Sequence, residues 1–346
     1  MRPVVMYTRP ACWQDFESDK LDLRYVPLTG RRPRRKSGRL AGPDGQMALA
    51  NRDGIELLIS ELKAHKPQVL LRGVNTGMPK RAHERIREAS PNTVVVCMDG
   101  NEPNGLSAHA RRFGGLVDVF LLNSKDAKVR RLYLDAGYKH VDTLYDGVSP
   151  RDHKLNVIGC PNHDCFFGGS NRRTKIRDPE DVKKNKEKYK WKWDFPGGEF
   201  RFDFISHIRM NYKLRLHGSA SEWPFAVEPV LHYPAYFSAF QTAKVVLGCN
   251  QYELDRYYPR RVMHAGVSGR AFVTKYIPGM EKDFGENGEH IAWFRTVEEG
   301  VETVGRYLKE DNRRKAMAAR CRRLFLKRHT WEARLREFEK IVGKFV

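Results

Sequence analysis

Short unbroken apolar runs separated by amphipathic stretches organise the first 140 residues. PVVMYT (3–8), QVLLRGV (68–74), NTVVVCMDG (92–100) and VDVFLLNS (117–124) are apolar at consecutive positions. Runs of this length predict strands buried on both faces. Between them, DGIELLISELKAHKP (53–67), PKRAHERIREASP (79–91) and KDAKVRRLYLDAGY (125–138) place apolar residues every third or fourth position. That period predicts helices, stopped by proline in the first two and by an αL-type turn at Gly137 in the third. Buried strands alternating with helices of this length predict a parallel sheet covered on both faces.

The pattern begins again after residue 157. DCFFGGS (164–170), KLRLHGS (213–219), TAKVVLGCN (242–250) and RAFVTKY (270–276) read as strands, three of them running into glycine turns or small polar residues. PRRVMHAGVSG (259–269) reads as a helix with a glycine stop, and the last fifty residues carry helical periodicity throughout. No internal repeat of 20–50 residues is present. The expected fold class is therefore α/β with two Rossmann-like domains, 1–156 and 157–330, facing each other across a cleft. A C-terminal helix over 331–346 is expected to pack back on the first domain. In parallel sheets ligands bind at the carboxyl ends of strands, so turns such as Gly168–Gly169 are where chemistry is expected.

Charge adds a partner to this picture. The chain of 346 residues has 63 Lys and Arg against 42 Asp and Glu, a net +21, and its 40% hydrophobic content excludes global disorder. Residues 1–158 hold 27 basic and 18 acidic side chains and the remainder 36 and 24, so both halves are basic. The segment RRPRRKSGR contributes Arg31, Arg32, Arg34, Arg35, Lys36 and Arg39 in nine positions. VKKNKEKYKWKWDF (182–195) interleaves lysines with aromatic residues, among them Lys190 and Trp191. Cations beside stacking rings suit a nucleic-acid backbone and its bases, and equally suit a solvated lysine face over packed rings. No run approaches the ~18 apolar residues of a spanning helix, and the first 25 residues lack a signal-peptide core. Scattered cysteines in a chain of this size predict reduced thiols in the cytoplasm. CPNHDC (160–165) has metal-ligand residue types at a spacing that fits no zinc site, so no metal is expected.

LLNSKDAKVRRLYLDAGYKHVDTLYDGVSP resembles the end of the first domain of GT-B glycosyltransferases: a strand ending in Asn-Ser, a helix ending in Gly, a strand, and a Gly-Val-Ser-Pro turn into the hinge. YYPRRVMHAGVSGRAFVT, followed by PGMEKDF, NGEHIAWF and the late RHTWEAR, is similar to the spore-maturation-type, group-1-like glycosyltransferase family. Together the two resemblances span about residues 115–345. They imply a transferase with a nucleotide-sugar donor, a UDP-sugar in this reading, bound mainly by the second domain, and an acceptor bound mainly by the first. The donor contacts they point to are Gly168, Gly169, Ser170, Arg172, Arg173 and Lys175 in GGSNRRTK. To these are added His217, Gly218, Arg261, His264 and Gly269, and then Tyr276, Gly279, Met280 and Glu281. Glycine-turn amides with two or three cations hold a diphosphate without a metal. The chain departs from the family where His264 replaces a Glu that contacts the ribose, and where Arg256 replaces an acid near the sugar; Arg261, Gly266 and Gly269 fit the pattern.

If the reaction inverts the anomeric centre it needs a base, for which Asp99 at the end of a buried strand is the first candidate, with Glu102 and His109 in the same loop. A retaining reaction needs none, and the resemblance leans toward retention. The acceptor expected from the charge is a hydroxymethylated pyrimidine base in DNA, as in phage-type genomes, extruded into the cleft by a monomeric enzyme without membrane contact. A glycan, spore-coat or protein acceptor is the enzymatic alternative. A non-catalytic nucleic-acid binder on a degenerate GT-B fold is the other.

Overall fold

The computed structural model describes residues 4–7, 22–26, 52–73, 80–98, 106, 113–148, 160–169, 171, 197–219, 223, 225, 227–229 and 235–346. The chain divides into two compact units, Met1–Tyr145 with Trp331–Val346, and Asp146–Thr330.

In the first unit the strands are β1 (Val4–Tyr7), β2 (Asp22–Tyr25), β3 (Val69–Gly73), β4 (Val94–Met98), β5 (Val119–Leu122) and β6 (His140–Thr143). The helices are α1 (Arg52–His65), α2 (Lys80–Ala89) and α3 (Ala127–Asp135). All strands run parallel in the order β2-β1-β3-β4-β5-β6, with Val5 opposite Leu23 on one side and Val69 on the other. β2 lies outside the apolar-run reading because it is an edge strand, DLRY, whose Asp22 and Arg24 pair with each other at 2.9 Å. Helix Trp331–Val342 covers one face of this sheet. Its Trp331, Leu335, Phe338, Ile341 and Val342 share one stripe and pack on Val5, Val69, Val96, Val119 and Leu121.

The second unit holds β7 (His163–Gly168), α4 (Gly198–Asn211), β8 (Leu214–His217), α5 (Ala235–Phe240), β9 (Ala243–Gly248) and α6 (Arg260–Val267). It continues with β10 (Ala271–Lys275), α7 (Glu281–Phe284), β11 (Ala292–Phe294), α8 (Val297–Lys309) and α9 (Asp311–Arg328). The strands are again parallel, in the order β11-β10-β9-β7-β8. α4 escapes a reading by period, since Phe200, Phe202 and Phe204 alternate as in a strand. The helical tail is broken twice, at Glu310 and at His329–Thr330. Because β7 pairs with both β8 and β9, successive connections leave it in opposite directions and open a crevice where β7 and β9 end.

One carboxylate ties the first unit together. Asp118, at the entry to β5, accepts from Arg87 at 2.5 Å, from the Val95 amide at 2.9 Å and from Lys139 at 3.2 Å. Burial raises its pKa, but the Val95 amide, Arg87 and Lys139 outweigh that penalty and hold the carboxyl below its usual range. A depressed carboxylate adds stability that is complete above the unfolded pKa of about 3.9 and is lost as pH falls through that value toward the folded one. Asp118→Ala, which leaves Arg87 partly buried and without its carboxylate, is expected to cost about 2–3 kcal/mol in urea unfolding at pH 7. The loss should begin to shrink as pH falls below about 3.9, where Asp118 of the unfolded chain takes up a proton before the folded carboxyl does. Equal losses at pH 7 and pH 3.5 would show that Asp118 acts by packing alone.

Candidate functional site

The crevice of the second unit is built by residues that leave the strands at their carboxyl ends. β7 runs out through Gly168 and Gly169, and β9 through Cys249 and Asn250. α6 starts at the same edge with Arg260 and Arg261, and the Arg261 guanidinium lies 5.2 Å from the ring centroid of Phe167 in β7. Gly169 permits this approach, since a Cβ there would stand 2.8 Å from Arg261 Nη1. The Gly169 carbonyl in turn accepts from Trp223 Nε1 at 3.2 Å and sits where a Cβ on Gly218 would meet it.

Arg261 Nε and Nη1 are buried and have no acceptor among the described residues. Two residues beyond Gly169, Asn171 is 2% exposed, and its Oδ1 and Nδ2 have no partner either. A buried polar group left unpaired costs about 1–3 kcal/mol, so proteins keep few of them. Two donors of a cation and one amide side chain, all unpaired at one strand end, have the hydrogen-bonding chemistry that a polar anion would satisfy.

Two further cations strengthen this electrostatic character. The first turn of α4 is pinned to the exit of β9, with the Gly197 amide donating to Gln251 O at 3.0 Å and Arg201 Nε to Cys249 O at 2.8 Å. Arg201 thereby lies 5.7 Å from the same Phe167 ring. Burial, and then repulsion from Arg261, push its pKa down to about 9. Lys275 ends β10, 2.6 Å from Glu253 and 4.2 Å from the ring centroid of Phe200. Cations on a low-dielectric edge stabilise a charge that develops on a leaving diphosphate.

Other residues singled out in the sequence fall in different places. Gly168 lies against Tyr236, whose ring a Cβ would meet at 2.7 Å. His217 ends β8 with Nδ1 2.8 Å from Pro229 O, while its buried Nε2 lies 3.1 Å from the Glu228 carboxylate without making a hydrogen bond. The loop after β10 is at the carboxyl edge: Tyr276 Oη donates to Glu281 at 3.0 Å and accepts from the Gly279 amide at 3.3 Å. Gly279 has φ +76° and packs against Asp255, while the Arg256 amide donates to Pro278 O at 2.8 Å. Met280 is fully buried beneath this loop. His264 sits one turn into α6 among the rings of Tyr236, Phe237 and Phe240. Gly269 follows the far end of α6, at the amino edge of the sheet, and so is not brought to the crevice. Asp99, Glu102, His109, Ser170, Arg172, Arg173, Lys175, Lys190, Trp191 and the Arg31–Arg39 segment lie outside the described residues. Among the described residues no three His, Cys, Asp or Glu side chains converge as metal ligands, and no helix is long and apolar enough to cross a membrane. In CPNHDC, Asp164 pairs with Lys244 at 3.1 Å and Cys165 is buried in β7.

Known proteins were compared with this geometry. Residues 201–340 match the family model described as "Glycosyl transferase-like". HepE of Anabaena, solved with UDP, aligns at TM-score 0.54 and 10% identity, over 99% of this chain and 100% of that one. Sucrose-phosphate synthase of Thermosynechococcus elongatus aligns at 0.54 and 10% identity over 99% of both chains. The lipopolysaccharide outer core galactosyltransferase WaaB, in its apo form, gives 0.52 and 11% identity over 100% of both. The fold is that of the GT-B glycosyltransferases. No curated protein sequence matches the chain.

Arg201, Lys275 and Asn171 were not anticipated. Lys275 had a usable signal, a lysine closing a buried strand in RAFVTKY. Arg201, inside GEFRFDF, had none, because only the docking of α4 on β9 brings it to the edge. If Arg261 serves an anion, Arg261→Met should leave the melting temperature of the unliganded protein unchanged or raise it, because an unpaired buried cation is removed. The same variant should weaken inorganic pyrophosphate binding about 100-fold, or about 2.7 kcal/mol, in titration calorimetry. Gly169→Ala should displace the flexible guanidinium tip and weaken pyrophosphate about tenfold with little change in melting. A large melting loss in Arg261→Met would make the residue a structural strut.

Proposed function

We propose that this chain is a glycosyltransferase that moves a sugar from a nucleotide-sugar donor to a hydroxyl acceptor. The observation that carries this reading is the unpaired buried N–H pair of Arg261 over Gly169, with the buried, unpaired Asn171 two residues on in the chain, at the strand ends where β7 and β9 part. A donor diphosphate supplies the acceptor atoms these groups lack. Arg261 then faces the oxygen that gains charge as the glycosidic bond to phosphate breaks, with the charge of Arg201 held behind it on the same ring, which lowers the barrier without a metal. Ser170, Arg172, Arg173 and Lys175 belong to the same connection and are assigned as further phosphate contacts. The nucleotide assigned is UDP, a choice supported by the HepE complexes with UDP and UDP-glucose. UDP at 100 times its dissociation constant should stabilise the protein by about 2.7 kcal/mol, read as a rise in melting temperature. No shift with UDP, GDP or dTDP would sink the transferase reading and leave a binding protein on this fold.

The acceptor assigned is a hydroxymethylated pyrimidine in DNA, on the net +21 that both halves of the chain share. Incubating the protein with hydroxymethyl-DNA and a panel of UDP-sugars, then digesting to nucleosides, should yield an adduct detectable by mass. Its rate should fall steeply between 50 and 200 mM salt, by roughly 10³-fold in binding if six phosphates are contacted. Transfer to a glycan or protein acceptor at a rate indifferent to salt would replace the DNA assignment and keep the transferase.

A further inference from the structure

Helix α9 is the most one-sidedly charged element among the described residues. Its sequence DNRRKAMAARCRRLFLKR holds eight basic residues and a single acid, Asp311. Arg314, Met317, Ala318, Cys321 and Phe325 form the buried side, so the opposite face is free for contact. On it lie the exposed Ala316, Ala319, Arg323 and Lys327, at successive steps of three or four residues. Lys315 and Arg320 flank this row; Lys315 is held 2.6 Å from Asp311, and Arg320 donates to Glu289 O at 2.7 Å. Arg323 and Lys327 have no carboxylate within ion-pair distance among the described residues. The helix dipole accounts for cations in the last turn, such as Lys327, and fades before Arg320 and Arg323 are reached.

We infer that this face of α9 is a docking surface for the phosphate backbone of a nucleic acid. The small Ala316 and Ala319 let a backbone approach the helix closely, and the unpaired Arg323 and Lys327 stand one turn apart, about 6 Å at ~1.5 Å per residue. That spacing matches about two successive phosphates of one duplex strand at ~3.4 Å axial spacing. An anionic membrane is the less suitable partner, because interfacial helices set large apolar side chains beside their cations. The exposed large apolar residues among those described are Leu57, Met210 and Val346, none of them on α9. This inference rests on the DNA reading of the acceptor and locates part of it in the second unit.

The test is a salt titration of full-length protein binding to a fluorescein-labelled 20-bp duplex, followed by anisotropy. Arg323→Gln/Lys327→Gln should flatten the slope of log K against log salt by about 1.8, two contacts at ~0.9 each, and weaken binding at least tenfold near 150 mM salt. The control Lys128→Gln/Arg130→Gln removes the same charge from exposed positions on α3. It should change the slope by less than half as much, with both variants melting like the parent. Equal effects in the two variants would reduce the face to its share of net charge and overturn the inference. A parent that binds duplex with a steep slope while the α9 variant matches it would also overturn the α9 face and leave DNA as acceptor. A parent that does not bind duplex at all would remove both. Loss of binding to phosphatidylserine vesicles in the α9 variant, with duplex binding intact, would replace the nucleic acid by a membrane.

Discussion

Every strand in each sheet runs parallel to its neighbours, and this single constraint places the chemistry. Parallel pairing forces each connection to cross back through a helix, so all carboxyl-terminal exits emerge on one edge. In the second unit the first strand, β7, is flanked by β8 and β9, and the connections part there. Gly169, Asn171 and Arg201 come from the β7–β8 connection, Arg261 from the β9–β10 connection, and Lys275 from the end of β10. They share an edge only because those strands point the same way.

Once they are together, Phe167 organises them. Its ring lies under both the Arg201 and the Arg261 guanidinium groups, which keeps two like charges on one apolar platform. A cation over a ring face is attracted by the quadrupole, and here that attraction offsets part of the cost of burying the charge. The remaining cost is what an anionic ligand relieves. The two cations therefore differ in kind. Arg201 is anchored on Cys249 O and fixes the exit of β9, while Arg261 Nε and Nη1 have no acceptor among the described residues. His217 meets the Glu228–Pro229 segment through Nδ1, and Gly269 follows the end of a helix at the other edge of the sheet.

Basicity acts on a different scale. The net charge of +21 acts over roughly a Debye length and says nothing about which carbonyl or amide faces a ligand. Its local expression on α9 depends on which cations find acids. Lys315 has Asp311 and Arg313 has Glu310, whereas Arg323 and Lys327 face solvent. Pairing converts a charged residue into part of the scaffold; lack of pairing leaves it as a long-range attractor.

The sequence alone determined the alternation of buried strands and amphipathic helices, and through it the α/β class, because burial on both faces demands continuous apolar runs such as QVLLRGV and VDVFLLNS. It marked Gly168–Gly169 as a candidate site, since glycine turns at strand ends are a local signal, whereas Arg261 was singled out only by the resemblance to the group-1-like family. Edge strand β2 and helix α4 were not legible, because a half-exposed strand and a helix with phenylalanines at every second position break the local period. Tertiary structure decided that Arg201 joins the crevice and Gly269 does not. It also decided that His264 is packed among rings and that Asn171 is buried without a partner. Those outcomes depend on which face of each element meets the sheet, a property of packing between segments up to a hundred residues apart that no local pattern encodes.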